Sequence, residues 1–163
     1  TLNLIKTNQQ YAQLSDISFN SLGFTISFWF KSDNVFNDNF RIIELNNNEL
    51  DTIFIGINQN KLNYGFYINN TVGFINNTNT ILNDNVWRCI TLIIKNNEYI
   101  SLYINGIKIF YNQINVSLRN VIRNNNYIYY KTYSNKIYRI IEEEICFIEK
   151  RPITIIFNLY YKK

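Results

Sequence analysis

Histidine and methionine are absent from this 163-residue chain, proline occurs once and cysteine twice. Without histidine there is no imidazole to ligate a metal or to serve as base in a nucleophilic triad, so those chemistries are excluded by composition. One proline and five glycines leave no Pro- or Gly-rich stretch that reads as a linker. No apolar run approaches the ~20 residues that a membrane-crossing helix needs. Charge is sparse as well, at 17% of residues. The two cysteines, Cys89 and Cys146, fall inside β-patterned segments. Buried free thiols are expected there, because a free cysteine packs as a small hydrophobe; a bridge between neighbouring strands is the alternative that spacing leaves open.

What is present is apolar and aromatic. Hydrophobic residues make up 47% of the chain and aromatics 17%, enough to bury a core in one domain of this length. Asparagine and isoleucine each supply roughly a fifth of the residues, a texture of residues with A/T-rich codons that reflects mutation bias rather than mechanism. The net charge is +4, and nine of the sixteen basic residues lie from Arg119 onward. Nucleic-acid binders cluster their basic residues more densely, so nucleic acid is not expected as a partner. A mild attraction to anionic membranes or acidic glycans is allowed, against the plainer reading of a solvated, charge-mixed surface.

Nearly all of the chain reads as β. Phe24, Ile26, Phe28 and Phe30 alternate with Thr25, Ser27, Trp29 and Lys31, the period of a half-buried strand. Ile53, Ile55 and Ile57 repeat the pattern, as do Leu62, Tyr64, Phe66 and Ile68. Thr91–Ile94, the polar Lys95–Glu98 and Ile100–Ile104 spell a hairpin. Asn105-Gly106 follows as a second turn, because both residues accept positive φ. Asn-rich stretches at 46–48, 76–79, 83–85 and 124–126 are expected to be turns. Short strands punctuated in this way predict an antiparallel two-sheet sandwich. Pro152 is expected to open a short C-terminal helix with Ile156, Leu159 and Tyr160 on one side.

Several groups could carry chemistry. Glu49-Leu50-Asp51 begins the E-x-D-x-x-E pattern of a glycan-cleaving strand, but Phe54 stands where the second Glu belongs, so a retaining mechanism lacks its acid. A solvated turn before the strand is the expectation. Glu142, Glu143 and Glu144 form one oxygen-rich group and Asp33, Asn37 and Asp38 another, weak candidates for Ca²⁺ and more simply solvent-facing; no cofactor is expected otherwise. The densest aromatic–basic cluster is Tyr127, Tyr129, Tyr130, Lys131 and Tyr133, with Tyr138 beyond. Exposed tyrosine stacks on sugar faces and lysine pairs with anionic sugars, so this cluster is the candidate ligand site; sheet packing is the plainer account. Trp29 and Trp87 are expected in or just under the core. Glycosylation sequons stand at Asn69, Asn76 and Asn115.

Four segments in order carry a resemblance: Tyr11-Ala-Gln-Leu14, Phe24-Thr-Ile-Ser-Phe-Trp-Phe-Lys31, the run from Val86 to Ile109 with its Leu102-Tyr-Ile-Asn-Gly106, and the closing segment from Ile141 to Tyr161. Trp29, Trp87, Thr91, Tyr103, Asn105, Gly106, Leu159 and Tyr160 occupy the positions of the concanavalin A-like/laminin G-type jelly-roll pattern, which the chain resembles over nearly its whole length. In texture it is most similar to the N-terminal jelly-roll half of the receptor-binding region of clostridial neurotoxins and their non-toxic non-haemagglutinin partners. The toxins' zinc protease motif cannot exist in a chain without histidine, and their carboxy-terminal trefoil has no counterpart here.

The resemblance therefore implies an all-β, antiparallel two-sheet jelly-roll sandwich. Residues 1–163 are expected to form a single such domain, a module of a longer chain. The function expected is non-enzymatic: a lectin-like recognition or scaffold module of a larger secreted toxin-type assembly, contacting glycan, anionic membrane surface, partner protein or flanking domains. The alternative is a purely structural unit of a viral particle or organellar complex that binds no sugar.

Overall fold

A computed structural model describes residues 2–4, 11–18, 22–31, 40–47, 51–129, 138–141 and 153–161. Period-two alternation becomes strand throughout. The strands are β1 (Leu2–Leu4), β2 (Tyr11–Leu14), β3 (Ile17–Ser18), β4 (Gly23–Phe30), β5 (Phe40–Asn47), β6 (Asp51–Asn58), β7 (Lys61–Ile68), β8 (Thr71–Ile81), β9 (Arg88–Lys95), β10 (Tyr99–Ile104), β11 (Ile107–Gln113), β12 (Ile122–Arg123), β13 (Asn125–Tyr129), β14 (Tyr138–Ile141) and β15 (Ile153–Tyr161). They form a seven-stranded sheet in the order β1-β14-β15-β4-β9-β10-β11 and a six-stranded sheet in the order β2-β13-β5-β6-β7-β8, with β12 and β3 as a separate pair. This is the expected jelly-roll sandwich.

The core lies between the sheets. From one side come Phe24, Ile26, Phe28, Ile90, Leu92, Ile94, Ile100 and Leu102; from the other Ile43, Leu45, Ile53, Ile55, Ile57, Leu62, Tyr64, Phe66 and Ile128. These are the inward halves of the alternating patterns, and burying each such side chain is worth ~1.5–3 kcal/mol. Toward the β8 and β11 side the filling is aromatic: the Tyr64 and Phe110 rings meet edge-on at 5.8 Å, and Phe74 lies 5.7 Å from Phe110.

Tight turns close the hairpins. Asn105 and Gly106 both take positive φ, 52° and 78°, as the hairpin turn requires. Gln59-Asn60 and Asn69-Asn70 do the same between β6 and β7 and between β7 and β8. Gly23 is needed for another reason. Its φ is 129°, and a Cβ there would stand 2.1 Å from the carbonyl oxygen of Ile94 on β9.

Five sequence expectations are corrected. The C-terminal segment is the strand β15, not a helix, and it pairs in parallel with β4, Phe157 opposite Phe28. Ile153, Thr154, Ile155 and Ile156 are all β-branched, which favours the pleated conformation over the helix that Pro152 alone suggested. Asn76–Asn79 lie within β8 rather than in a turn, held by side-chain bonds such as Asn63 Nδ2 to Asn77 Oδ1 at 2.8 Å. Asn46 and Asn47 likewise end β5, and Asn125 and Asn126 begin β13. Trp29 is 41% exposed; it occupies the outward step of β4, between core Phe28 and half-buried Phe30, so alternation puts its ring outside.

Candidate functional site

Asp51 opens β6 at an inward position and is wholly buried. Its carboxylate accepts hydrogen bonds from the Asn69 backbone N–H at 2.9 Å and from Arg119 Nε at 2.8 Å, and pairs with Arg119 Nη2 at 2.8 Å. Arg119 reaches it from the segment between β11 and β12. The neighbouring Arg123, 1% exposed, donates from Nη1 to the Arg119 and Val121 carbonyls, and burial pushes its guanidinium down to about 10 despite the Asp51 charge nearby. The expected solvated turn is thus corrected: Asp51 is sealed in an ion pair that fastens the β11–β12 segment over the end of the core. A carboxylate without access to water cannot attack or protonate a sugar. Glu49 lies outside the described residues.

The tyrosine cluster singled out in the sequence is divided between the sheets. Tyr127 stands on β13 opposite Gln13 of β2 and Glu44 of β5. Its neighbours Asn126 and Ile128 are buried, so Tyr127 faces outward, half-buried, with its hydroxyl 3.5 Å from Asn125 Oδ1. Tyr129 ends β13 opposite Tyr11. Tyr138 belongs to β14 in the other sheet, opposite Leu4 and Tyr161. Tyr130, Lys131 and Tyr133 lie outside the described residues, as do Asp33, Asn37, Asp38, Glu142–Glu144 and Cys146. Cys89 is a free, half-buried thiol 3.6 Å from Ser27 Oγ. Of the sequons, Asn76 is half-buried and its Nδ2 donates to the Tyr64 hydroxyl at 3.1 Å; that phenol is pushed up by burial.

Outward positions of the six-stranded sheet carry a stacked set beside Tyr127. The Arg41 guanidinium lies 3.4 Å from the Phe54 ring centre, Tyr67 lies 6.0 Å from the same ring, and Asn46 donates to Glu44. On the seven-stranded sheet the outward set is Thr25, Ser27 and Trp29 on β4 and Thr91 on β9, with Ser27 and Thr91 hydroxyls 2.7 Å apart.

Two open grooves lie on the side where β8 and β11 end their sheets. One, of about 460 Å³, runs between Asn76–Thr80 and Ile109–Phe110. The other, of about 560 Å³, lies between the β9–β10 turn and the end of β11, walled by Tyr99 and Tyr111 and by polar side chains that include Asn97 and Gln113. The tyrosine rings are 5.4 Å apart and inclined by 31°, and Lys108 Nζ lies 5.4 Å from the Tyr111 ring. Sequence reading missed this pair. The Asn105-Gly106 turn brings β10 and β11 together, but it is the bulge between Leu102 and Tyr103, which carries no sequence signal, that sets Tyr99 opposite Gln113 and Tyr111 opposite Ser101, two positions apart on one face.

Comparison with known proteins agrees with this architecture. The model of the concanavalin A-like lectin/glucanases superfamily matches residues 6–135. Among solved structures the chain is similar to domains LG4-5 of the mouse laminin alpha1 chain, at 12% identity and a TM-score of 0.52, over 78% of this chain and 37% of that one. It is also similar to the binding domain of Paraclostridial Mosquitocidal Protein 1, at 17% identity and a TM-score of 0.54, over 84% of this chain and 42% of that one. The binding domain of botulinum neurotoxin DC, solved with rat synaptotagmin II, matches at 20% identity and a TM-score of 0.45, over 71% of this chain and 34% of that one. The chain spans less than half the length of each of these structures, and the likeness to the first two shows the fold alone. No curated protein matches the chain in sequence. With its family model matched across both sheets, the chain belongs to the concanavalin A-like lectin/glucanase superfamily.

Proposed function

We propose that this chain is a non-catalytic recognition module that binds carbohydrate, one unit of a longer secreted chain or assembly of toxin type. One contrast carries the reading. The acid of the glucanase-like stretch, Asp51, is wholly buried and ion-paired, whereas aromatic rings and amides stand at the surface, where Trp29 is 41% and Tyr111 50% exposed. Sugar recognition uses exposed rings and amides; hydrolysis needs two accessible carboxyls. The likeness to the binding domain of Paraclostridial Mosquitocidal Protein 1 supports it by analogy of fold. The cluster Tyr127, Tyr129, Tyr130, Lys131 and Tyr133 is proposed as a contact region, of which Tyr127 and Tyr129 lie on β13 of the six-stranded sheet.

The test is a glycan array probed with the purified chain, with a reducing-end assay run on every glycan retained. Retention without new reducing ends is expected. Release of reducing ends that disappears in a folded Asp51→Asn variant would overturn the reading, as would failure to retain any glycan.

A purely structural unit is the second reading, favoured by β8. This strand ends its sheet and has no charged residue in eleven positions, while Val72, Ile75 and Ile81 are exposed; natural edges are usually guarded by charge. Concentration-dependent self-association with no glycan bound would support that reading instead.

A further inference from the structure

The groove between the β9–β10 turn and the end of β11 has the size, rigidity and chemistry of a small-ligand site. Its volume of about 560 Å³ falls within the ~300–1,000 Å³ usual for such sites. Its framework is held by backbone bonds: Ile114 N–H donates to the Glu98 carbonyl at 3.0 Å and Asn97 N–H to the Val116 carbonyl at 3.1 Å. Asn96 adds a side-chain clamp, accepting from Leu118 N–H at 2.9 Å. The lining is therefore in place before a ligand arrives, which lowers the ordering cost of binding.

We infer that this groove is a subsite for a neutral sugar, with Tyr99 and Tyr111 as its aromatic wall and Asn97, Gln113 and Asn115 as its hydrogen-bonding groups. The inference rests on the carbohydrate-recognition reading and deepens it. Tyrosine supplies a rigid, amphipathic contact face with only two side-chain torsions to freeze, and the two rings, 5.4 Å apart and inclined by 31°, hold each other in place beside the groove. The Asn97, Gln113 and Asn115 side chains line the opening. Each amide is both donor and acceptor, which matches hydroxyls that are also both.

Charge decides the class of sugar. Among the described lining residues the one ionised side chain is Glu98, and Lys95 Nζ meets and offsets it at 2.7 Å. None of these lining residues is a cation that could receive a sialic acid carboxylate; Lys95 is taken up by Glu98, and Lys108 Nζ lies against the Tyr111 ring. A sugar with hydroxyls and no charge satisfies the amides without needing a counter-ion.

The test uses the full chain and oligosaccharides ending in glucose, galactose or N-acetylglucosamine, each beside its sialylated counterpart. Titration followed by NMR should move the side-chain amide signals of Asn97, Gln113 and Asn115, and the sialylated forms should bind more weakly. Tyr111→Ala and Gln113→Ala should each raise Kd at least tenfold, which is 1.4 kcal/mol, with melting temperature nearly unchanged. Val86→Ala, exposed just before the end of β9 that lies far from Tyr99, should leave the Kd at these probes as it was. Should a neutral glycan bind while both groove variants keep wild-type Kd, or the moved signals lie elsewhere, the subsite is overturned and the recognition reading stands. If the wild-type chain binds none of the probes, both fall.

Discussion

Replacing Asp51 by Asn and Arg119 by Ala tests whether the buried ion pair fastens the fold, and the two variants should not be equivalent. Asp51 has no exposed side-chain surface, while Arg119 is 42% exposed. In D51N the new amide still accepts from Asn69 N–H, but it loses charge-assisted bonds of ~1.5–3 kcal/mol. The half-exposed Arg119 can turn its guanidinium into water, which recovers part of that loss, so a cost of about 2 kcal/mol is expected. In R119A the carboxylate stays buried with the Asn69 N–H and the nearby Arg123 charge against it but no direct ion pair, and stranding one member of a buried pair costs ~3–5 kcal/mol. At ~2–4 °C per kcal/mol for a domain of this size, the melting temperature should fall by about 4–8 °C in D51N and about 6–20 °C in R119A. Urea titration of the three proteins measures the free energies directly. A midpoint unchanged to within ~0.5 kcal/mol in either variant, or D51N costing more than R119A, refutes the account.

Three further perturbations follow from local geometry. Arg88 donates to Asp84 at 2.6 Å and holds that carboxyl below its ordinary 3.8. A depressed carboxyl stabilises the fold above the unfolded value and loses that contribution as pH falls, so the small deficit of D84N, under ~0.5 kcal/mol for so exposed a pair, should vanish as pH drops below 3.8, and more salt should shrink it. Gly23→Ala puts a Cβ 2.1 Å from the Ile94 carbonyl oxygen at a φ of 129°; a loss of at least ~2 kcal/mol is expected, and a chemical-denaturation midpoint equal to wild type would disprove the constraint. In a Trp87→Phe variant the remaining Trp29, 41% exposed, should be readily quenched by acrylamide, whereas a shielded signal would place the ring back in the core.

Much of the architecture was legible because strand alternation is a local property. Phe24, Ile26 and Phe28 on one sheet and Ile53, Ile55 and Ile57 on the other declared their faces at period two, and all six are buried. The same rule, taken literally, already put Trp29 outside; its size and apolarity argued for the core, but position along the strand decided the outcome. The tail was misread because one proline was weighed above four β-branched residues. Nothing in the composition of Asn76–Asn79 separates an edge strand from a turn, since the bonds that hold it come from Asn63 and Tyr64 on β7.

The candidate site shows where local reading stops. Residue order alone determined the alternating core strands, the Asn105-Gly106 turn, the absence of imidazole chemistry and the family. Extending the register from that turn without interruption would set Tyr111 opposite Ile100 and point it into the core. A bulge between Leu102 and Tyr103 in the pairing with β11 shifts the count by one, so Leu102 faces Phe110 and Ser101 faces Tyr111. Phe110 thereby joins the aromatic filling, and Tyr111 emerges beside Tyr99. The sealing of Asp51 is of the same kind, because its partner Arg119 is 68 residues away along the chain. Alternation follows from bond geometry within one strand, whereas a bulge and a long-range ion pair follow from how separate segments fill the shared interior, so only the tertiary structure decided them.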